Sequence, residues 1–480
     1  MIKSTILRIL DNPITLLIVC LMVLAYGFIL LTLTRRNHYI AGLVENGAVR
    51  FMLLCQSEVM LTPFLHWNTL YLIIPPFNNR LTYLQILIYS FLVFAILPQI
   101  REKSFRDYRD LFLKSFLSNP FIWLIPVLAA ISLFWSETPL IALKSGLVLL
   151  GINLFSFYVS IRFKWEEIFS FIRWNISVIA LLSLVIRRTS NDGTTAGGGL
   201  AGIMPSKNAL GALMALGIIL WLLNVFESKK HRAIPIFMTL VCLFTLFQAK
   251  SAGAYLILII LMTVTLSGLL LKLFEYRSVA ILTSILFLLT LLISFFVTLN
   301  LEAILGLFGK DLTLTGRSVI WPAITEAISQ KVWAGYGAFS FWQPWRGPEN
   351  PALSFLRFSY WLPPSAHQGF LDILLQFGVV GLVIVVLGLG FALVQSMNFF
   401  FKQTGVLAIL PLTVVLHHIA ANLPETRFLR PNVFWVSFLF VTMKLSITAS
   451  QRAVTQTVSS QREKIDLDRP EFMPSPARDL

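Results

Sequence analysis

"SAHQGFLDILLQFGVVGLVIVVLGLGFALVQS", residues 365–396, opens with a histidine, an amide and an aspartate, and then carries no charge from residue 373 to its end. The hydrocarbon core of a bilayer takes about 20 apolar residues of helix. Only helices and closed barrels cross it, because every backbone polar group must be bonded internally. The stretch therefore reads as a membrane-spanning helix with a polar mouth.

The rest of the chain agrees with that reading. Its 480 residues are 57% hydrophobic and 13% charged, with a mean hydropathy of +0.78, the composition of a polytopic membrane protein rather than a string of soluble domains. The predicted fold class is all-α: a helical bundle of about 12 transmembrane helices with one long periplasmic loop containing amphipathic helices. Spans are expected near 14–33, 81–98, 118–136, 139–160, 167–186, 208–227, 233–249, 252–271, 278–299, 368–396, 404–420 and 431–447. The first, "ITLLIVCLMVLAYGFILLTL", has no small-residue cleavage site and reads as a retained span. Segment 51–75 is apolar but holds Gln56, Glu58, His66 and Asn68, and reads as interfacial or re-entrant.

Charge sets the sides. There are 38 Lys and Arg against 23 Asp and Glu, and this excess collects in the short loops "REKSFRDYRD", "RFKWEE", "ESKKHR" and "KLFEYR". All of them fall on one side of a twelve-span bundle, which the positive-inside rule makes the cytoplasm. No basic patch stands beside stacking aromatics in a soluble module, so nucleic acid is excluded as a partner. The membrane domain is 1–447, followed by a polar tail, 448–480, read as cytoplasmic and disordered. The tail's Asp466 and Asp468 have DxD spacing but no fold to hold an ion. Cys20, Cys55 and Cys242 lie in apolar surroundings without CxxC spacing and imply neither a metal nor a redox site.

Two segments fall on the outer side: the Gly-rich loop 187–207 and the long loop of about 300–367. In the long loop, "GRSVIWPAITEAISQKVWAGYGAFSFW" (316–342) places Ile320, Ile324 and Ile328 four apart, with Pro322 early in the run. This predicts an amphipathic helix lying on the membrane face. Arg317 just precedes it, where a helix start favours anions; snorkelling to lipid headgroups is the alternative. The aromatic tail of the stretch, Trp342 included, either anchors the loop at the interface or stacks on sugar faces. His367 then stands at the outer mouth of the span. An imidazole titrates near neutrality and suits removal of a proton from a hydroxyl, although a lone histidine at a helix mouth is more often a structural hydrogen-bonder. Asp372 lies five residues on, about 500° round a helix, and is not expected to be its orienting partner.

These residues resemble a known family. "GRSVIW", "GYGAFSFW" and "SAHQGFLDILLQFGVVGL" are similar to the signature of the O-antigen ligase and polysaccharide polymerase superfamily, which runs GR-x-x-x-W, G-x-G, then His-Asn-x-x-Leu and a Gly-containing helix. "LFWSETPLIALKSG" (133–146) resembles its Trp-Ser-acidic-x-Pro segment, "SKNALGALMALG" (206–217) its Lys-Asn-x-Leu-Gly helix start, and "FQAKSAGAYL" (247–256) its Ser/Arg-rich helix. The resemblance covers about 118–445. In this chain Gln368 replaces the family's asparagine, and Lys250 is the nearest cation to the arginine of the Ser/Arg-rich helix.

The resemblance implies a metal-independent glycosyltransferase of the bacterial inner membrane, multi-pass and active on its periplasmic face. It would need no cofactor and would move a glycan from undecaprenyl pyrophosphate to an acceptor hydroxyl. His367 would be the base. Arg317, Lys207, Lys250, Arg427 and Arg430 are the candidate cations for the pyrophosphate. Glu425 would orient an arginine, bind a sugar hydroxyl or form a structural ion pair, and Trp321 and Trp342 would face the glycan. Lys207 is equally a partner for headgroups. The pair His417 and His418, inside an apolar span, are further candidates by residue type. "FWSETPLIALKSG" and "SAHQGFLD" look closer to exopolysaccharide repeat-unit polymerases. The alternative is an O-antigen ligase that uses lipid A core as acceptor. Membrane lipids and polysaccharide-export proteins are the expected partners. A secondary transporter or lipid flippase is the remaining alternative, weakened because the two halves show no matched Gly/Pro-broken helices.

Overall fold

The computed structural model describes residues 38–55, 105–189, 198–228, 231–273, 317–343 and 365–448. The spans expected at 14–33, 81–98 and 278–299, most of 51–75, and the tail after residue 448 lie outside the described residues. Among those described the architecture is all-helical. In chain order the helices are α1 (His38–Cys55), α2 (Phe105–Ser118), α3 (Pro120–Ile131), α4 (Pro139–Arg162), α5 (Trp165–Thr189), α6 (Lys207–Glu227), α7 (Ala233–Ala249), α8 (Ala252–Leu273), α9 (Arg317–Gln330), α10 (Gly369–Lys402), α11 (Leu410–Ala421) and α12 (Val433–Thr448).

α4, α5, α6, α8 and α10 are long and apolar enough to cross a bilayer, so the protein is a multi-pass membrane protein. The expected span 118–136 takes a different form. α3 has 12 residues, roughly 18 Å at 1.5 Å per residue, and it is bent by 91° from α2. The cause is local: Pro120 disfavours a helical conformation at the residue before it, and Asn119 adopts φ −151°, ψ 79°.

α6 is the centre of the bundle. It is apolar all round and buried from Ala209 to Trp221, as a helix with neighbours on every side must be. Small residues set how closely those neighbours approach. A Cβ on Gly217 would lie 2.7 Å from Ile176 of α5 and 3.0 Å from the sulfur of Cys242 on α7. One on Gly211 would lie 2.6 Å from Ala254 of α8. Cys242 is therefore a packing residue.

α10 is broken. Gly378 has φ 60°, ψ −158° inside the helix, a conformation that favours glycine, and the break frees backbone groups that must find other partners. The turn after α9 supplies them. Tyr336 N–H donates to Leu375 O (2.8 Å) and Gly337 N–H to Gln376 O (2.9 Å), while Val379 N–H donates to Val332 O (2.8 Å). The G-x-G pair permits this contact, since a Cβ on Gly335 would come within 2.5 Å of the Gln376 backbone and one on Gly337 within 2.5 Å of Ser136 Cβ.

Two expectations for the long loop are corrected here. α9 begins at Arg317 itself, so Pro322 sits beyond its first turn. Its apolar stripe also packs against protein rather than lipid. Ile320, Ile324 and Ala327 form a small second core with Tyr336, Phe341, Trp342, Ala366 and Leu375. The aromatic tail turns inward with it: Tyr336, Phe341 and Trp342 are buried, and Trp333, at 73% exposure, is the ring that faces out.

The two ends of the bundle differ. At one end Lys444 Nζ closes the C-terminus of α4 by donating to Ser160 O and Phe163 O (2.9 and 2.7 Å). Arg162 pairs there with Glu45 (2.9 Å), and Lys272 donates to Gln403 O (2.9 Å). At the other end the α3–α4 turn, the start of α6, the α7–α8 turn, α9, the head of α10 and the α11–α12 loop come together.

Candidate functional site

The head of α10 is built by short-range bonds. Gln368 is the N-cap, its side-chain oxygen accepting from Leu371 N–H at 2.6 Å, and this gives the residue that replaces the family's asparagine a job an asparagine would also do. Gly369 N–H donates to Asn422 O (2.8 Å). A Cβ at Gly369 would lie 2.4 Å from Asn422 Oδ1, so the residue after the cap must be glycine. Asn422 also organises the loop that follows α11, accepting on Oδ1 from Arg427 N–H and Phe428 N–H (2.8 and 2.9 Å).

His367 precedes the cap with φ 51°, a left-handed backbone that costs a residue other than glycine on the order of 1 kcal/mol. Asp372 holds it there. Its Oδ1 accepts from Ala366 N–H (3.0 Å) and from Trp342 Nε1–H (2.9 Å), and its Oδ2 lies 3.9 Å from Arg430 Nη2. Asp372 therefore positions the backbone beside His367 and, as its angle round the helix implied, does not meet the imidazole. Trp321, half-buried, donates its indole N–H to Ala366 O at 3.1 Å.

Glu425 meets the imidazole. Its Oε2 lies 3.2 Å from His367 Nδ1, and its Oε1 accepts from Asn208 Nδ2–H at 2.8 Å. Asn208 Oδ1 in turn accepts from the hydroxyl of Ser251 at 2.8 Å. Ser251 is fully buried and Glu425 is 9% exposed. Beside them Asn208, Ser251, Glu425 and Arg427 line a cavity of about 30 Å³, room for about two waters. A carboxylate only accepts, so in the neutral imidazole this geometry puts the proton on Nδ1 and the lone pair on Nε2.

The candidate cations surround this chain at different distances from it. Arg427 is buried, lines the cavity, and sets its guanidinium 5.1 Å from the Phe434 ring centre. Lys207 and Lys250 each stand one residue before a member of the chain, Asn208 and Ser251. Lys207 is half-buried, and a Cβ on Gly199 would lie 2.6 Å from its Cδ. Lys250 is exposed and ends α7 in a left-handed conformation, φ 49°. Arg430 faces Asp372. Arg317 is the first residue of α9, and its side chain lies outside the described residues. Trp342 is buried with its N–H on Asp372. His417 and His418 are both buried. His417 Nε2 lies 2.8 Å from Ala212 O with its ring stacked on Phe434, and His418 stacks on Phe438, so both have packing roles.

Sequence reasoning missed Asn208 and Ser251. Both lie inside the motifs "SKNALG" and "AKSAGAYL", each next to a lysine, and an amide or a hydroxyl marks a site less clearly than the neighbouring charge. Among the described residues no three His, Cys, Asp or Glu stand close enough to hold a metal ion.

Comparison with known proteins gives two matches. Residues 237–386 match the family model described as O-antigen ligase, a stretch that runs from α7 through α9 to His367 and the break in α10. The chain is also 25% identical over 297 residues to the exopolysaccharide production protein ExoQ of Rhizobium meliloti (strain 1021). That alignment covers 58% of this chain and 65% of the relative, slightly under two thirds of the relative's length. These matches bear out the resemblance read from the motifs: the chain is similar to the O-antigen ligase family and to an exopolysaccharide production protein.

Proposed function

From this similarity to the O-antigen ligase and polysaccharide polymerase superfamily, and from the geometry at His367, we propose that the protein is a glycosyltransferase of the bacterial inner membrane. It moves a glycan from undecaprenyl pyrophosphate to an acceptor sugar hydroxyl, at the face where the α10 head lies, which we assign to the periplasm. The basic loops at the opposite end support that assignment.

The observation that carries the proposal is the His367–Glu425 pair. With its proton on Nδ1, the imidazole presents a lone pair on Nε2 to an acceptor hydroxyl. Nε2 takes the hydroxyl proton as the oxygen bonds to the anomeric carbon. The bond from that carbon to the pyrophosphate breaks, and its electron pair leaves on the carrier lipid. The imidazolium that results faces the Glu425 carboxylate. The leaving group is already a good one, so it needs cations rather than an acid. Arg317, Arg427, Arg430, Lys207 and Lys250 are the groups proposed to supply them, and no step requires a metal or cofactor.

The relative's role in exopolysaccharide production supports a repeat-unit polymerase. The family description, O-antigen ligase, supports the second reading: transfer of finished polymer to lipid A core. Lipid-linked glycans in a deletion strain separate the two. Single repeat units on the carrier establish a polymerase, long carrier-linked chains beside a bare lipid A core establish a ligase, and accumulation of neither overturns both.

A further inference from the structure

Four segments far apart in the chain send polar groups to one line of hydrogen bonds, which converges on the Glu425 carboxylate from both sides. Ala254 N–H, at the start of α8, approaches Ser251 Oγ at 3.4 Å. The Ser251 hydroxyl donates to Asn208 Oδ1, Asn208 Nδ2–H donates to Glu425 Oε1, and Glu425 Oε2 faces His367 Nδ1. The orientation of the Asn208 amide is fixed by Glu425, because the reverse would set the amide oxygen against a carboxylate oxygen.

We infer that Asn208 is a positioning residue for catalysis: clamped by Ser251, it holds the Glu425 carboxylate in the one rotation that keeps the His367 proton on Nδ1 and the lone pair on Nε2. The inference rests on the function proposed above. The plainer alternative is that the line merely stitches helices together. The backbone around His367, however, is already held without it, by Asp372 on Ala366, by the Gln368 cap and by Asn422 on Gly369. The Asn208 line adds orientation of the imidazole; at metal-ligating histidines, the partners that orient the ring are worth about 10- to 100-fold.

The test uses the purified full-length chain, with the carrier-linked glycan that accumulates in the deletion strain as donor. Asn208→Ala and Glu425→Gln are each expected to lose about 10-fold or more in kcat with KM for donor unchanged. The double variant is expected to be no slower than Glu425→Gln alone, because Asn208 acts only through Glu425. Asn208→Asp, which sets a carboxylate against a carboxylate, is expected to be slower than Asn208→Ala. Losses that multiply in the double variant, or that fall on KM alone, overturn the inference. Should Asn208→Ala fold poorly, the ¹⁵N shifts of His367 in folded Glu425→Gln and Asn208→Asp decide instead. A changed proton distribution between Nδ1 and Nε2 supports the inference and an unchanged one overturns it. His367→Ala separates the two levels: wild-type turnover there sinks the proposed function, whereas a dead His367→Ala beside additive Asn208 and Glu425 losses sinks only the role of Asn208.

Discussion

The indole N–H of Trp321 donates to the carbonyl oxygen of Ala366 at 3.1 Å, so the helix that starts at Arg317 is tied directly to the residue preceding His367. Arg317 stands four residues before Trp321, one turn along the same stripe of α9. Replacement of Arg317 by Ala is expected to abolish transfer at normal protein levels. Lys is expected to rescue it poorly, because a point charge replaces a bidentate donor. Polymer length in the two strains checks this, and normal length in Arg317→Ala removes the residue from the site.

His367→Ala is expected to lower turnover by about 10²–10⁴-fold, the usual contribution of a general base. Donor binding should survive, since the proposed phosphate-binding cations do not include His367. Donor affinity and rate measured on one preparation decide the matter; loss of binding along with rate would make His367 a ligand instead.

Asp372 has three jobs in one buried carboxylate: it accepts from Ala366 and Trp342 and faces Arg430. Asp372→Ala strands the buried donors and is expected to destabilise the protein by about 3–5 kcal/mol. Thermal unfolding in detergent reads that loss. Asp372→Asn keeps Oδ1 as acceptor for both donors and loses only the charge that faces Arg430, and should fall between Ala and wild type. Equal stability of all three would show that the head of α10 is held by other contacts.

The G-x-G clamp is expected to tolerate no side chain. Gly335 has φ 62°, and its Cβ would meet the Gln376 backbone at 2.5 Å. Gly335→Ala should cost about 1–3 kcal/mol from backbone strain alone, before the clash is counted. Protease protection of the 331–343 segment, weakened in Gly335→Ala and kept in Gly390→Ala, where an added Cβ meets nothing within 4 Å, is the corresponding measurement.

Transfer by the purified protein is expected to survive EDTA, because the proposed chemistry assigns phosphate charge to guanidinium and ammonium groups. Asp372 is committed to Ala366 and Trp342, and Glu425 to His367 and Asn208. A strict Mg²⁺ requirement restored by readdition would contradict this assignment.

Local rules made much of this protein legible from its sequence. Apolar runs of about 20 residues located the long helices, because the spacing of apolar residues and the cost of unpaired backbone in lipid act within one segment. His367 at the outer mouth of the expected span 368–396 showed where the α10 head would lie. The partners were not legible. His367 meets Glu425 58 residues away, and Glu425 meets Asn208 217 residues away. No local period encodes such pairs, since they depend on where packed helices bring their ends. The aromatic run 336–342 was misread for a related reason: exposed and buried rings look alike in sequence, and only the break at Gly378, with its unpaired backbone groups, decided that this run would turn inward.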